Sequence, residues 1–242
     1  MFMKPRFYEL DLLRGIAIIL MIFYHALYDL FYFADFELNL WSGVFWFIGR
    51  TSAFIFIFLV GVCMTISYSH AKKKNSKNGL FRKYLIRGSK IFLLGFLITA
   101  ITYLFLPGGT IYFGILHFIG VSVVLGYLFL EFKRINLVFG AVVVAIGYYL
   151  KNLIFGFSSL LFLGFTPENF YTIDYFPLFP WFGVVLLGIF FGNTFYSGGE
   201  RRFLITDYSS KLKALLFVGK NSLLIYLLHQ PILIGLIYFL IV

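Results

Sequence analysis

Residues 11–33, "DLLRGIAIILMIFYHALYDLFYF", form an apolar run long enough to cross a bilayer, and they constrain the chain more than any other stretch. About 20 helical residues span roughly 30 Å of hydrocarbon. Yet Arg14, His25 and Asp29 lie inside the run, where ionisable groups are costly and mark a substrate path, a proton relay or a tie between helices. The remaining sequence repeats this pattern. Of 242 residues, 61% are hydrophobic and 12% charged, and the mean hydropathy is +0.94. No soluble core of this size can hide so much apolar side chain, and the hydrophilic gaps are too short for a soluble domain. The expected fold is all-α, a polytopic helical membrane protein with about seven transmembrane helices around a polar chamber, in a single domain over residues 1–242.

The expected spans fall near residues 12–32, 43–69, 86–106, 113–131, 135–156, 175–195 and 214–241. "GFSSLLFLGF", residues 156–165, is apolar but too short to cross; it reads as a re-entrant or interfacial piece, or as the end of a long fifth span. "LPGG" at 106–109 signals a turn, and "YFPLFPW" at 175–181 an extended or kinked helix start. No internal repeat stands out. The first segment is too long for a signal-peptide core and lacks a small-x-small cleavage site, so it reads as a retained span.

The net charge of +10 is distributed unevenly. Lys72, Lys73, Lys74, Lys77, Arg82, Lys83, Arg87 and Lys90 crowd one gap. Lys133 and Arg134 lie in a second, and Arg201, Arg202, Lys211 and Lys213 in a third. Lys4 and Arg6 precede the first span, whereas Asp35, Glu37, Glu168 and Asp174 occupy the alternate gaps. This is the positive-inside pattern, with the N-terminus cytosolic and the C-terminus outside. The bases are topology signals that also suit anionic lipid or an anionic cytosolic ligand. Nucleic acid is excluded as a partner, because no aromatic–basic interleaving lies outside the spans. The single Cys63 forms no intrachain disulfide, and scattered histidines offer no metal site. "GKNS" at 219–222 lacks the upstream glycine of a phosphate loop, and His70 beside Lys72 reads as a solvated helix end.

Helix arithmetic groups the polar residues. Arg14 and His25 are eleven residues apart, close to three turns, so they share a face about 16 Å apart along the axis. Asp29 follows His25 by one turn, where a carboxylate can hold the imidazole. Counting from the expected cytosolic ends puts His25, Arg50, His117 and His229 on four different helices at one depth, roughly 20–23 Å in. The blander readings are helix–helix hydrogen bonds for the imidazoles, a snorkelling Arg14 and an Asp29 that ends its helix.

These residues carry a resemblance. "ELDLLRGIAIILMIFYH" resembles the opening of the transmembrane acyltransferase superfamily, which includes the bacterial acyltransferase-3 enzymes and the heparan-α-glucosaminide N-acetyltransferase group. "RGIAIILMIFYHALYDLFYF", "ILHFIGVS", "YFPLFPWFGVVLLGIFFG" and "VGKNSLLIYLLHQPIL" are similar to small bacterial proteins with a domain of the latter type. The resemblance implies a bacterial plasma-membrane enzyme that takes acetyl-CoA from the cytosol and acetylates an amine or hydroxyl of an extracytoplasmic sugar or glycan. Arg14 and His25 match motif residues, and His229 a recurrent C-terminal position. Against the larger relatives, fewer spans and no lumenal or extracellular domain are expected.

On that basis the expected catalytic set is His25, Asp29, Arg50, His117 and His229, with His25 as base, Asp29 orienting its ring, and Arg50 or His117 on the oxyanion. Arg14, Arg82, Lys83 and Arg87 are expected to hold the phosphates of acetyl-CoA. The expected partners are acetyl-CoA, a sugar or glycan acceptor and membrane lipid, with a homodimer left open. Two competing classes use the same residues: a transporter, flippase or proton-coupled carrier, and a non-catalytic scaffold with polar glue.

Overall fold

The computed structural model describes residues 7–74, 79–106 and 108–240. Lys4, Arg6, Lys77 and Pro107 of the expected turn lie outside the described residues, as does Ile241 at the expected end of the last span. Among the described residues eight α-helices carry the fold: α1 (Tyr8–Phe33), α2 (Gly43–Lys74), α3 (Leu80–Phe105), α4 (Ile115–Tyr127), α5 (Ile135–Leu150), α6 (Leu178–Phe195), α7 (Lys213–Lys220) and α8 (Ser222–Leu240). Among the described residues there is no β-strand, only isolated bridges pairing Phe113 with Tyr175 and Phe155 with Pro167. The protein is a polytopic helical membrane protein.

Five helices, α1, α2, α3, α6 and α8, are long and apolar enough to cross a membrane. α4 and α5 are apolar but have only 13 and 16 residues. At 1.5 Å per residue each falls short of a full hydrocarbon width. The expected seventh span is two helices. They break at Asn221, whose side-chain amide donates to the Phe217 carbonyl (2.8 Å) and so satisfies the end of α7. The segment 156–165 does not prolong the fifth helix, because α5 stops at Leu150. It is an irregular stretch with a single 3₁₀ turn at Leu161–Leu163. The Phe155 and Phe165 rings pack tilted at 58° with centroids 4.7 Å apart, and the Tyr175 hydroxyl donates to the Leu161 carbonyl (2.7 Å). Burial pushes that phenol up to about 12.

The chain divides into two compact units. The first takes residues up to Phe56 and from Ile205 onward, the second Ile57–Leu204. In the first, α1 packs on α7 and α8. Its acidic first turn, Glu9 and Asp11, suits a helix N-terminus, and the chain leaves α1 through Asp35 in the left-handed region (φ 51°). Gly219 of α7 meets the Asp11 carbonyl and Gly15 of α1 meets that of Leu215, so closely that a methyl on either glycine would overlap backbone. Ser52 of α2 donates to the Ala17 carbonyl (2.8 Å), tying the start of α2 to α1.

In the second unit α3 packs on α4 and α5 on α6. Small residues again set the crossings, as bilayer packing favours: Gly88 against Gly120, Gly140 against Gly183, Gly61 against the Val185 carbonyl and Gly188 against that of Phe58. Asp174 caps α4, its Oδ2 accepting the Ile115 N–H at 2.9 Å.

Candidate active site

The first unit brings α1 and α8 together through their polar residues. His25 Nδ1 lies 2.8 Å from the Met21 carbonyl oxygen, one turn back on the same helix. A carbonyl only accepts, so this nitrogen carries the proton, and in the neutral ring the lone pair sits on Nε2. His229 repeats the arrangement on α8, its Nδ1 donating to the Tyr226 carbonyl at 2.5 Å. The two imidazoles stand edge to face, ring centroids 4.9 Å apart and planes at 78°. Two basic nitrogens on separate helices are thereby held at one place with their tautomers set by backbone.

Asp29, only 1% exposed, does not orient the His25 ring as its spacing led us to expect. Its Oδ1 accepts from the Gln230 side-chain amide at 2.6 Å, and the Met21 carbonyl takes the role assigned to the carboxylate. The physical reason is proximity: the backbone oxygen four residues back is already within reach of Nδ1, whereas α8 offers Asp29 a donor. Three buried acceptors remain without a protein donor among the described residues: Asp29 Oδ2, Gln230 Oε1 and His229 Nε2. A buried acceptor left unbonded costs about 1–3 kcal/mol. The group is chemically complementary to a ligand bearing N–H or O–H.

Arg14 faces the other end of α1. Its Nη1 forms an ion pair with Asp11 Oδ1 at 2.7 Å, and Asp11 is 2% exposed. An almost fully buried carboxylate against a part-exposed guanidinium fixes that side chain far better than a surface pair does. Arg50, on the second turn of α2, is exposed, lies 5.8 Å over the Trp46 ring, and acts electrostatically on Tyr24. The Tyr24 ring in turn meets the edge of His25 at 6.0 Å.

His117 belongs to the second unit. It is 2% exposed and boxed by Phe92 (5.3 Å), Phe96 (5.3 Å) and Phe113 (5.7 Å), with Gly95 beneath the ring. Neither ring nitrogen has a hydrogen-bond partner among the described residues. Arg82, Lys83 and Arg87 lie exposed on the first turns of α3 in the same unit, with Lys83 Nζ donating to Ser67 Oγ at 3.0 Å and lying 5.5 Å over the Tyr84 ring. Part of the neighbouring basic cluster is paired: Lys72 with Glu131 (2.8 Å) and Lys73 with Glu200 (2.9 Å). Lys73 holds the Glu200 carboxyl below its usual range. Among the described residues no three His, Cys, Asp or Glu side chains gather as a metal site would need.

Sequence reading passed over Asp11 and Gln230. Asp11 stands three residues before Arg14, a spacing that puts opposite charges on one helix face. Gln230 lies within "VGKNSLLIYLLHQPIL", where nothing in its own position sets it apart. Nothing in the sequence signalled that it meets Asp29, 201 residues away.

Comparison with curated proteins and with solved structures returned no significant match. The family model described as heparan-alpha-glucosaminide N-acetyltransferase, catalytic, matches residues 6–231, which takes in α1, both histidines of the edge-to-face pair and Gln230. A membrane protein matched over nearly its whole length by one such model has its family settled: this chain belongs to the heparan-alpha-glucosaminide N-acetyltransferase catalytic family, a family of acetyltransferases.

Proposed function

We propose that this protein moves an acetyl group from cytosolic acetyl-CoA to an amine or hydroxyl of an extracytoplasmic sugar or glycan. The observation that carries the reading is the His25–His229 contact, in which both rings are held with Nε2 as the basic nitrogen, beside unpartnered acceptors on Asp29 and Gln230. Such a cluster suits an acceptor that arrives with N–H or O–H bonds and must lose one proton. Family membership supports acetyl transfer and an acetyl-CoA donor. The alternation of basic and acidic gaps supports a cytosolic N-terminus, which fits a bacterial plasma membrane.

The thioester approaches from the cytosolic side, with Arg14 as the candidate base for its phosphates in the first unit and Arg82, Lys83 and Arg87 as separate candidates in the second. His25 Nε2 takes a proton from the acceptor as its nitrogen or oxygen bonds to the thioester carbonyl carbon. Arg50, close to Tyr24, is the candidate cation for the developing oxyanion. The carbon–sulfur bond then breaks. CoA leaves as a thiolate and recovers the proton from the imidazolium, which restores neutral His25. The alternative order, acetylation of His25 followed by transfer, uses the same groups.

The test is release of free CoA by purified protein in lipid nanodiscs, with acetyl-CoA and an amino sugar or a neutral sugar. Acceptor-dependent release that disappears in His25→Ala is expected. A folded His25→Ala variant with full release overturns the assignment, and sugar transport without CoA release favours a carrier.

A further inference from the structure

We propose that Gln230 is a positioning residue for acetyl transfer, its side-chain amide fixing α8 against α1 so that the His229 imidazole stands edge-on to His25. The inference rests on the acetyl-transfer reading above, and three observations carry it.

The first is the pairing pattern. His25 and Asp29 are one turn apart on a single face of α1. α8 meets them with two consecutive residues, His229 on His25 and Gln230 on Asp29. A single contact would let α8 rotate or slide about it. Two contacts a turn apart on α1 define both the rotation and the height of α8, and with them the placing of the His229 ring.

The second is the backbone that carries those residues. Pro231 lies inside α8. It has no N–H, so the Leu227 carbonyl lacks its usual donor four residues on, and the turn holding His229 and Gln230 is one backbone hydrogen bond short. Its setting then depends on side-chain ties more than in an uninterrupted helix.

The third is the partner. Asp29 is 1% exposed, and a carboxyl removed from water needs a donor. Gln230 supplies it at 2.6 Å, while the Gln230 oxygen and the second Asp29 oxygen have no partner among the described residues. Gln230 therefore aligns the pair without closing the cluster to a ligand.

The experiment compares Gln230→Met, Gln230→Glu and Asp29→Asn with wild type in nanodiscs. Methionine keeps the length and removes the donor; kcat is expected to fall on the order of 10- to 100-fold with the KM for acetyl-CoA unchanged, since the proposed phosphate contacts lie elsewhere. Glutamate turns a donor toward Asp29 into an acceptor, and a larger fall is expected. Asparagine at 29 keeps an acceptor oxygen for Gln230 but turns the second Asp29 oxygen into a donor, so kcat is expected to fall through the lost ligand acceptor while the setting of α8 is kept. Imidazole ¹⁵N spectra supply a readout independent of catalysis. The His229 signals are expected to shift in Gln230→Met and to hold in Asp29→Asn, while those of His117 stay unchanged in both. If Gln230→Met does not fold, Gln230→Asn, with its donor one methylene short, is expected to give the same losses. Wild-type kcat together with wild-type His229 spectra in the donor-less variant overturns the proposal. If the wild type releases no CoA, the acetyl-transfer reading fails by itself, and the spectra alone decide whether Gln230 sets the His229 ring.

Discussion

His25 and His117 are both buried or half-buried imidazoles on apolar helices, and helix counting gives them one depth, yet their surroundings differ in kind. In the first unit His25 has a carbonyl on Nδ1, a second imidazole 4.9 Å away, and a carboxyl and an amide one turn further on. In the second unit His117 has three phenyl rings and, among the described residues, no hydrogen bond. A ring whose tautomer is set by a backbone acceptor presents a defined basic nitrogen to a ligand. A ring enclosed by aromatics presents its shape. Depth alone therefore identifies costly residues but does not separate chemistry from packing; the hydrogen bonds around each ring do.

This contrast can be broken experimentally. The largest effect is expected for His25→Ala, since losing a general base costs about 10²- to 10⁴-fold in rate. Acceptor-dependent CoA release at saturating acetyl-CoA measures it, and a folded variant with full activity removes the distinction between the two rings. Next comes Arg14→Ala. A hydrogen bond to a charged group is worth about 1.5–3 kcal/mol, so the KM for acetyl-CoA is expected to rise roughly 10- to 100-fold with kcat little changed. An unchanged KM returns Arg14 to a purely structural pair with Asp11.

A smaller effect is expected for His117→Phe. The replacement fills an aromatic box with another aromatic and removes two unbonded nitrogens, so activity should stay within about 3-fold and the thermal midpoint should hold or rise. A loss beyond 10-fold would return His117 to the reaction as an oxyanion group. The smallest effect concerns the exposed Lys73–Glu200 pair. Lys73 holds the Glu200 carboxyl below its ordinary range, so any stabilisation is present at and above that range and fades as the pH falls through the lowered folded value. Lys73→Ala should leave the midpoint at neutral pH within error and flatten only the acid limb of the melting profile. A clear loss at neutral pH would show the pair to be more than a solvated contact.

The helices themselves were legible from hydropathy and length, because a bilayer-crossing segment advertises itself by its own composition. α1, α2, α3 and α6 fall close to the expected spans. Legibility failed where local detail decides: α4 and α5 are shorter than their apolar runs, and Asn221 splits the last run in two. The site divides the same way. His25 and His229 could be found from the cost of burying them, and Arg14 from its place beside a glycine in a motif-like opening. Asp29 was found, but its partner was not.

What the sequence determined by itself is the all-helical membrane fold and which side chains are too expensive to be incidental, since both follow from composition and local spacing; the family followed from the resemblance of its motifs and from the family-model match. Only the tertiary structure decided which of those side chains meet. Gln230 reaches Asp29 across 201 residues, the Met21 carbonyl displaces Asp29 from His25, and three phenylalanines enclose His117. Helix–helix approach depends on glycines such as Gly15 and Gly219 meeting particular backbone atoms, and that fit belongs to the packed pair of helices rather than to either one alone.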